Sequence, residues 1–89
     1  MHSEKELTEA RKLVNAKVDK LKELLTEEIK ANNAELMPGL AIVLVQYLAA
    51  IAHGKKDFLY NIEFAHSILE SYATEILQGH HEGFDHVRD

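Results

Sequence analysis

Leu40-Ala41-Ile42-Val43-Leu44-Val45-Gln46-Tyr47-Leu48-Ala49-Ala50-Ile51-Ala52 carries no charged side chain over its whole length, and only Gln46 and Tyr47 offer side-chain hydrogen-bonding groups. The β-branched Ile42, Val43 and Val45 fit a strand. The run is nevertheless longer than a usual strand and closes in alanine-rich sequence, which favours a helix. It is too short to span a bilayer, which takes about 20 apolar residues. The wider uncharged stretch, 36–54, is broken by Pro38, Gly39 and Gln46. No membrane partner is therefore expected. A helix that is apolar on every side and does not lie in lipid must be covered on every side by protein. That requirement governs the rest of the chain.

Toward the N-terminus, Pro38 fits the opening turn of this helix, where a missing N–H costs no bond. Asn32 and Asn33 favour turn and left-handed conformations, so a loop is expected near 31–37. Before it, Leu7, Ala10, Val14, Val18, Leu21, Leu25 and Ile29 recur at steps of three and four. At 100° per residue they form one stripe, widened by Leu13 and Leu24, which is the pattern of an amphipathic helix. Ser3-Glu4-Lys5-Glu6 has the form of a capping box for its first turn. Its other face pairs Glu9 with Lys12, Asp19 with Lys22 and Glu27 with Lys30, a solvated surface supported by many small attractions.

Toward the C-terminus, Gly54 is the expected helix stop after His53, with His53, Lys55 and Lys56 complementing the dipole of that helix end. Asp57 is the expected N-cap of a third helix. Phe58, Ile62, Ala65, Leu69, Tyr72, Ala73 and Ile76 lie on its main apolar side, and Gly79 ends it. The reading is thus an all-α, three-helix chain with helices at about 4–31, 38–53 and 57–78. Residues 1–79 form a single helical domain, and 80–89 form a flexible histidine-containing tail, in which Phe84 and Val87 could dock on the body or a partner. No internal repeat or low-complexity segment is present.

Two outer helices can cover two flanks of the middle one, but the remaining flank would stay wet as a contiguous apolar strip. A second copy of the chain would cover it, so a homodimeric bundle is expected. Tyr60, Phe64 and Ile68 make a second, smaller apolar row on helix 3, offset from its main face and with no use inside a three-helix monomer. The expected interface residues are Val43, Tyr47 and Ile51 of helix 2, with Tyr60, Phe64 and Ile68 beside them.

The 89 residues suffice for one domain whose own core is marginal, and oligomerisation is a common remedy at that size. There is no cysteine, hence no disulfide, thiolate chemistry or cysteine zinc site. The opening Met1-His2-Ser3-Glu4 leads into no apolar run, so neither a signal peptide nor a lipid anchor is expected, and the cytoplasm is the default location. Ten basic side chains face fifteen acidic ones. Residues 1–33 are balanced, and from residue 34 onward the bases are Lys55, Lys56 and Arg88 alone. With no basic stripe, a nucleic-acid partner is not expected.

Six histidines are the unusual count. Protonating them all would more than cancel the acidic excess, so the charge is sensitive to mild acid. Glu63 and His66 have the Glu-x-x-His spacing that di-iron carboxylate bundles use to aim ligands into a core, and Glu70 follows one turn later. Those sites need two such motifs, so a divalent metal would require Glu63, His66 and Glu70 from two subunits, with Glu28 as a further candidate. The simpler reading is an edge histidine held between two carboxylates, which could also bias the assembly in acid. His80, His81, Glu82, Asp85 and His86 are ligand-type side chains at loose spacing.

No catalytic pattern is present. Ser3, Ser67, Ser71 and the threonines lack a glycine-flanked elbow or a base-orienter pair, and His53-Gly54-Lys55-Lys56 lacks the glycine spacing of a phosphate loop. The expectation is a non-enzymatic interaction module, acting as a homodimer, that binds an unidentified protein and needs no cofactor. A metal-binding bundle with ligands from two subunits is the alternative.

Overall fold

The computed structural model describes residues 4–88, which form three α-helices and one short 3₁₀ turn. Helix α1 spans Glu4–Ala31, α2 Leu36–Ala50 and α3 Lys55–Leu77, and the turn is Asp85–Val87. No strand occurs among the described residues. The all-α expectation holds, with a three-helix chain as read. The chain divides into two units, Met1–Gly39 and Leu40–Asp89.

The first unit holds α1 and the opening turn of α2. The C-terminal bound of α1 matches the expected 31, because its stripe and its breaker are both unambiguous. The serine half of the expected capping box, Ser3, lies outside the described residues. Asn32 adopts φ 49°, the left-handed conformation anticipated for the asparagine pair, and its N–H donates to the Glu28 carbonyl at 3.1 Å. This closes the helix as an αL cap. Thr8 and Thr26 donate their hydroxyls to the carbonyls of Glu4 and Lys22, four residues back, at 2.8 Å each. Those hydroxyls are occupied with their own helix rather than poised for chemistry. No side chain of α1 is buried.

Helix α2 begins two residues earlier than the expected 38. Leu36 N–H closes a turn onto the Asn33 carbonyl at 3.0 Å, and Gly39 N–H makes the first helical bond, to Glu35, at 3.0 Å. Pro38 is thus the third residue of the helix rather than the first. The first four N–H groups of any helix lack an internal partner, so proline is accommodated equally well there.

In the second unit, α2 ends at Ala50 rather than 53. Its last turn tightens: Ala52 N–H donates to Ala49 at 3.2 Å, while Ile51 N–H still reaches Tyr47 at 3.1 Å. The expected stop at Gly54 is therefore corrected. Gly54 precedes α3 as its N-cap, with extended backbone, and accepts from Phe58 N–H at 2.9 Å. Lys55 and Lys56 open α3 instead of closing α2, so their expected service to the α2 dipole does not apply. Asp57 is the third residue of α3, not its N-cap. Its carboxylate reaches back and accepts from the His53 backbone N–H at 2.9 Å. A carboxylate in the first turn also complements the dipole there.

Leu48 of α2 is the buried side chain of the described residues, at 8% exposure. Its surroundings on α3 include Asn61, whose amide bonds the Leu48 carbonyl, and Asp57, Phe58, Asn61, Ile62 and Ala65 are half-buried. Further along the expected apolar face, Leu69 and Tyr72 are exposed, since α3 has 23 residues and α2 only 15.

Gly79 ends α3 as expected, with φ 82°. Gly79 N–H donates to Ile76 and His80 N–H to Glu75, both at 3.0 Å, the paired bonds of a Schellman motif. The chain then turns back, and the Arg88 guanidinium, ion-paired with Asp85, lies against Gly79.

Candidate functional site

The largest feature of the second unit is an uncovered apolar surface. On α2, Val43 is 61% and Tyr47 58% exposed. At 100° per residue both lie well round the helix from Leu48. Leu40, Ile42, Leu44 and Val45 are exposed as well. Ile51, expected beside them, falls just past the end of α2 and is also exposed.

On α3 the second row is in place. Tyr60, Phe64 and Ile68 are 63%, 57% and 52% exposed. The Tyr60 and Phe64 rings stack at 6.4 Å with planes 20° apart. Helical spacing brings them together, and the offset-stacked contact pre-orders both rings on the surface. Beside this row lies a shallow depression lined by Ser67, Ile68, Ser71, Tyr72 and Glu75. It arises because two serines, one turn apart, leave a gap between larger neighbours.

The candidate ligands on α3 are only partly convergent. His66 Nε2 lies 3.4 Å from Glu70 Oε1, with both side chains mostly in water. Such an exposed i,i+4 pair contributes little to stability. Glu63 takes no part in it, and Glu28 lies on α1. Among the described residues of one chain, no group of three histidine, cysteine or carboxylate side chains is placed to hold a metal ion.

A different histidine is the more constrained one. His81 stacks on Tyr72 with ring centroids 4.4 Å apart and planes at 22°. Its Nε2 lies 3.6 Å from Glu75 Oε2 and is shut off from water without a hydrogen bond. Phe84 and Val87 are the apolar side chains of this segment open to docking on the body or a partner. Both remain substantially exposed, and His81 makes the contact instead. The signal available was Gly79: a Schellman turn reverses the chain so that the second residue after the glycine passes over the last turns of the helix.

No described helix is long and apolar enough to cross a membrane. No family model matches this chain. No curated protein matches it, and no solved structure does. The three-helix, all-α class is therefore defined by the chain's own geometry, and within it the feature that demands an explanation is the apolar surface of α2 and α3.

Proposed function

We propose that this chain is a non-enzymatic helical interaction protein of the cytoplasm, an adaptor, regulator or inhibitor, that works as a homodimer and engages a further protein through helix faces. One observation carries the reading: a helix with no charged side chain between Leu40 and Ala50 buries only Leu48. Ordering a residue costs about 1–2 kcal/mol in backbone entropy, and one buried leucine does not offset that for the α2–α3 pair. Covering half-exposed side chains such as Val43, Tyr47, Tyr60, Phe64 and Ile68 contributes on the order of 1 kcal/mol each. The sum, repeated by symmetry, is comparable to the stability of a small domain.

The polar groups support the same reading. The threonine hydroxyls of Thr8, Thr26 and Thr74 are bonded to their own helices. Exposed apolar side chains spread along helix faces fit recognition of another helix better than turnover of a small molecule. Sedimentation equilibrium over a range of micromolar concentrations tests the self-association. A dimer supports the reading, and a monomer throughout ends it.

A further inference from the structure

The outer face of α3 has an internal order that a general apolar patch would lack. Lys56, Tyr60 and Phe64 occupy its first half at steps of four, and Ser67, Ser71 and Glu75 occupy its second half at steps of four. At 100° per residue all six lie within an arc of about 100°. Measured from the midpoint between Ala65 and His66, Phe64 and Ser67 are equidistant, as are Tyr60 and Ser71, and Lys56 and Glu75. Each pair joins a large side chain to a small one or a cation to an anion. The depression completes the pattern. Ile68, Ser71, Tyr72 and Glu75 stand at i, i+3, i+4 and i+7, the outline of a hole that receives one knob from a facing helix. Its centre, between Ser71 and Tyr72, lies within one residue of the position that mirrors Tyr60 across the midpoint.

We propose that α3 packs antiparallel against α3 of a second copy, about a two-fold axis at Ala65/His66, with Tyr60 seated in the hole beside the partner's Ser71. Phe64 sits beside the partner's Ser67, and Lys56 meets the partner's Glu75 at each end. This rests on the self-association proposed above and specifies how it is made. An isologous contact requires that if one residue meets a second, the second meets the first, and the six residues satisfy that condition three times over. A parallel pairing would set Lys56 on Lys56 and Glu75 on Glu75, crowd Tyr60 against Tyr60 and leave serine facing serine; like charges and voids oppose it. Glu75 already has His81 at 3.6 Å, and a carboxylate with two oxygens accepts from a lysine as well.

The chain has no cysteine, so introduced thiols report without background. Tyr60→Cys and Ser71→Cys chains are prepared separately, then refolded alone or together and oxidised. The mixed sample is expected to form a disulfide dimer, and each single sample to remain uncrosslinked, because like positions would lie about 16 Å apart along the antiparallel pair. Crosslinking of the Tyr60→Cys sample alone shows a parallel pairing and overturns the proposal. An uncrosslinked mixture, with the wild type still dimeric in sedimentation, overturns this pairing while leaving self-association standing. A monomeric wild type removes both. Charge exchange gives a second readout that spares the packed residues. Lys56→Glu and Glu75→Lys should each weaken the dimer by about threefold to thirtyfold in Kd, since each rim pair occurs twice. The double variant should recover the wild-type Kd to within about threefold. A double variant no tighter than the single ones overturns the assigned register.

Discussion

The side-chain amide of Asn61 on α3 donates to the backbone carbonyl of Leu48 on α2 at 3.2 Å. That carbonyl is in the last turn of α2, where the N–H it would ordinarily receive, from Ala52, bonds Ala49 instead. Asn61 thus supplies a partner to a helix-end acceptor on the residue whose side chain is buried. Backbone capping and side-chain packing between α2 and α3 meet at one point.

Replacing Asn61 by alanine leaves the Leu48 carbonyl part-buried with no donor, which should lower stability by about 1 kcal/mol. Leu48→Ala should cost about 2–4 kcal/mol through lost burial and the cavity left behind. The two sites touch, so the double variant should be less destabilised than the two losses added. Urea unfolding of the four proteins checks this. An Asn61→Ala protein as stable as wild type would show that water serves the carbonyl equally well.

Two glycines should respond to alanine with opposite signs. Gly79 has φ 82° and the Arg88 guanidinium against the position a Cβ would take. Alanine there must adopt a left-handed conformation, at a cost of about 1–2 kcal/mol, and displace the arginine. Gly39 lies within α2 with nothing within 4 Å of an added Cβ. Alanine there should stabilise by roughly 0.5–1 kcal/mol, because glycine loses more backbone entropy in a helix. Thermal melts at fixed protein concentration read both signs.

How far the sequence disclosed this arrangement depends on how unique each local solution is. The stripe of α1 admits one reading, and its left-handed exit at Asn32 and the Gly79 exit of α3 follow from conformations that few residues tolerate. The α2 start was misplaced because proline is harmless at any of the first helical positions, so Pro38 marks a turn of helix rather than a residue. The α3 start was misplaced for a related reason. An aspartate near a helix N-terminus can bond a backbone N–H from the cap position or, as Asp57 does to His53, from inside the helix. The outer row of Tyr60, Phe64 and Ile68 was legible from spacing alone. The His81–Tyr72 contact is not encoded in periodicity; its one sequence signal is Gly79, whose turn sets the direction the chain takes.

The tail contact offers its own test. His81 bridges Tyr72 and Glu75, and the Arg88–Asp85 pair closes the following turn. His81→Ala should change global stability by no more than about 0.5–1 kcal/mol, because the ring is at the surface. Its local effect should be larger: amides 80–88 should exchange markedly faster while those in the middle of α3 keep their protection. Hydrogen exchange read by NMR separates the two. Equal exchange in both proteins would mean that the Gly79 turn alone holds the segment in place.

The uncovered side of α2 makes the most demanding prediction. If a second copy covers Val43 and Tyr47, folding and association are linked, and the melting temperature of the wild type should rise with protein concentration. Val43→Lys would place a charge in that contact, where desolvation opposes it. On an isolated chain the same change would be nearly neutral or even favourable, since Val43 is 61% exposed. The variant should therefore sediment as a monomer, melt well below the wild type, and lose the concentration dependence. A Val43→Lys protein that remains dimeric and melts with the wild type would show that this side of α2 faces water in the assembly.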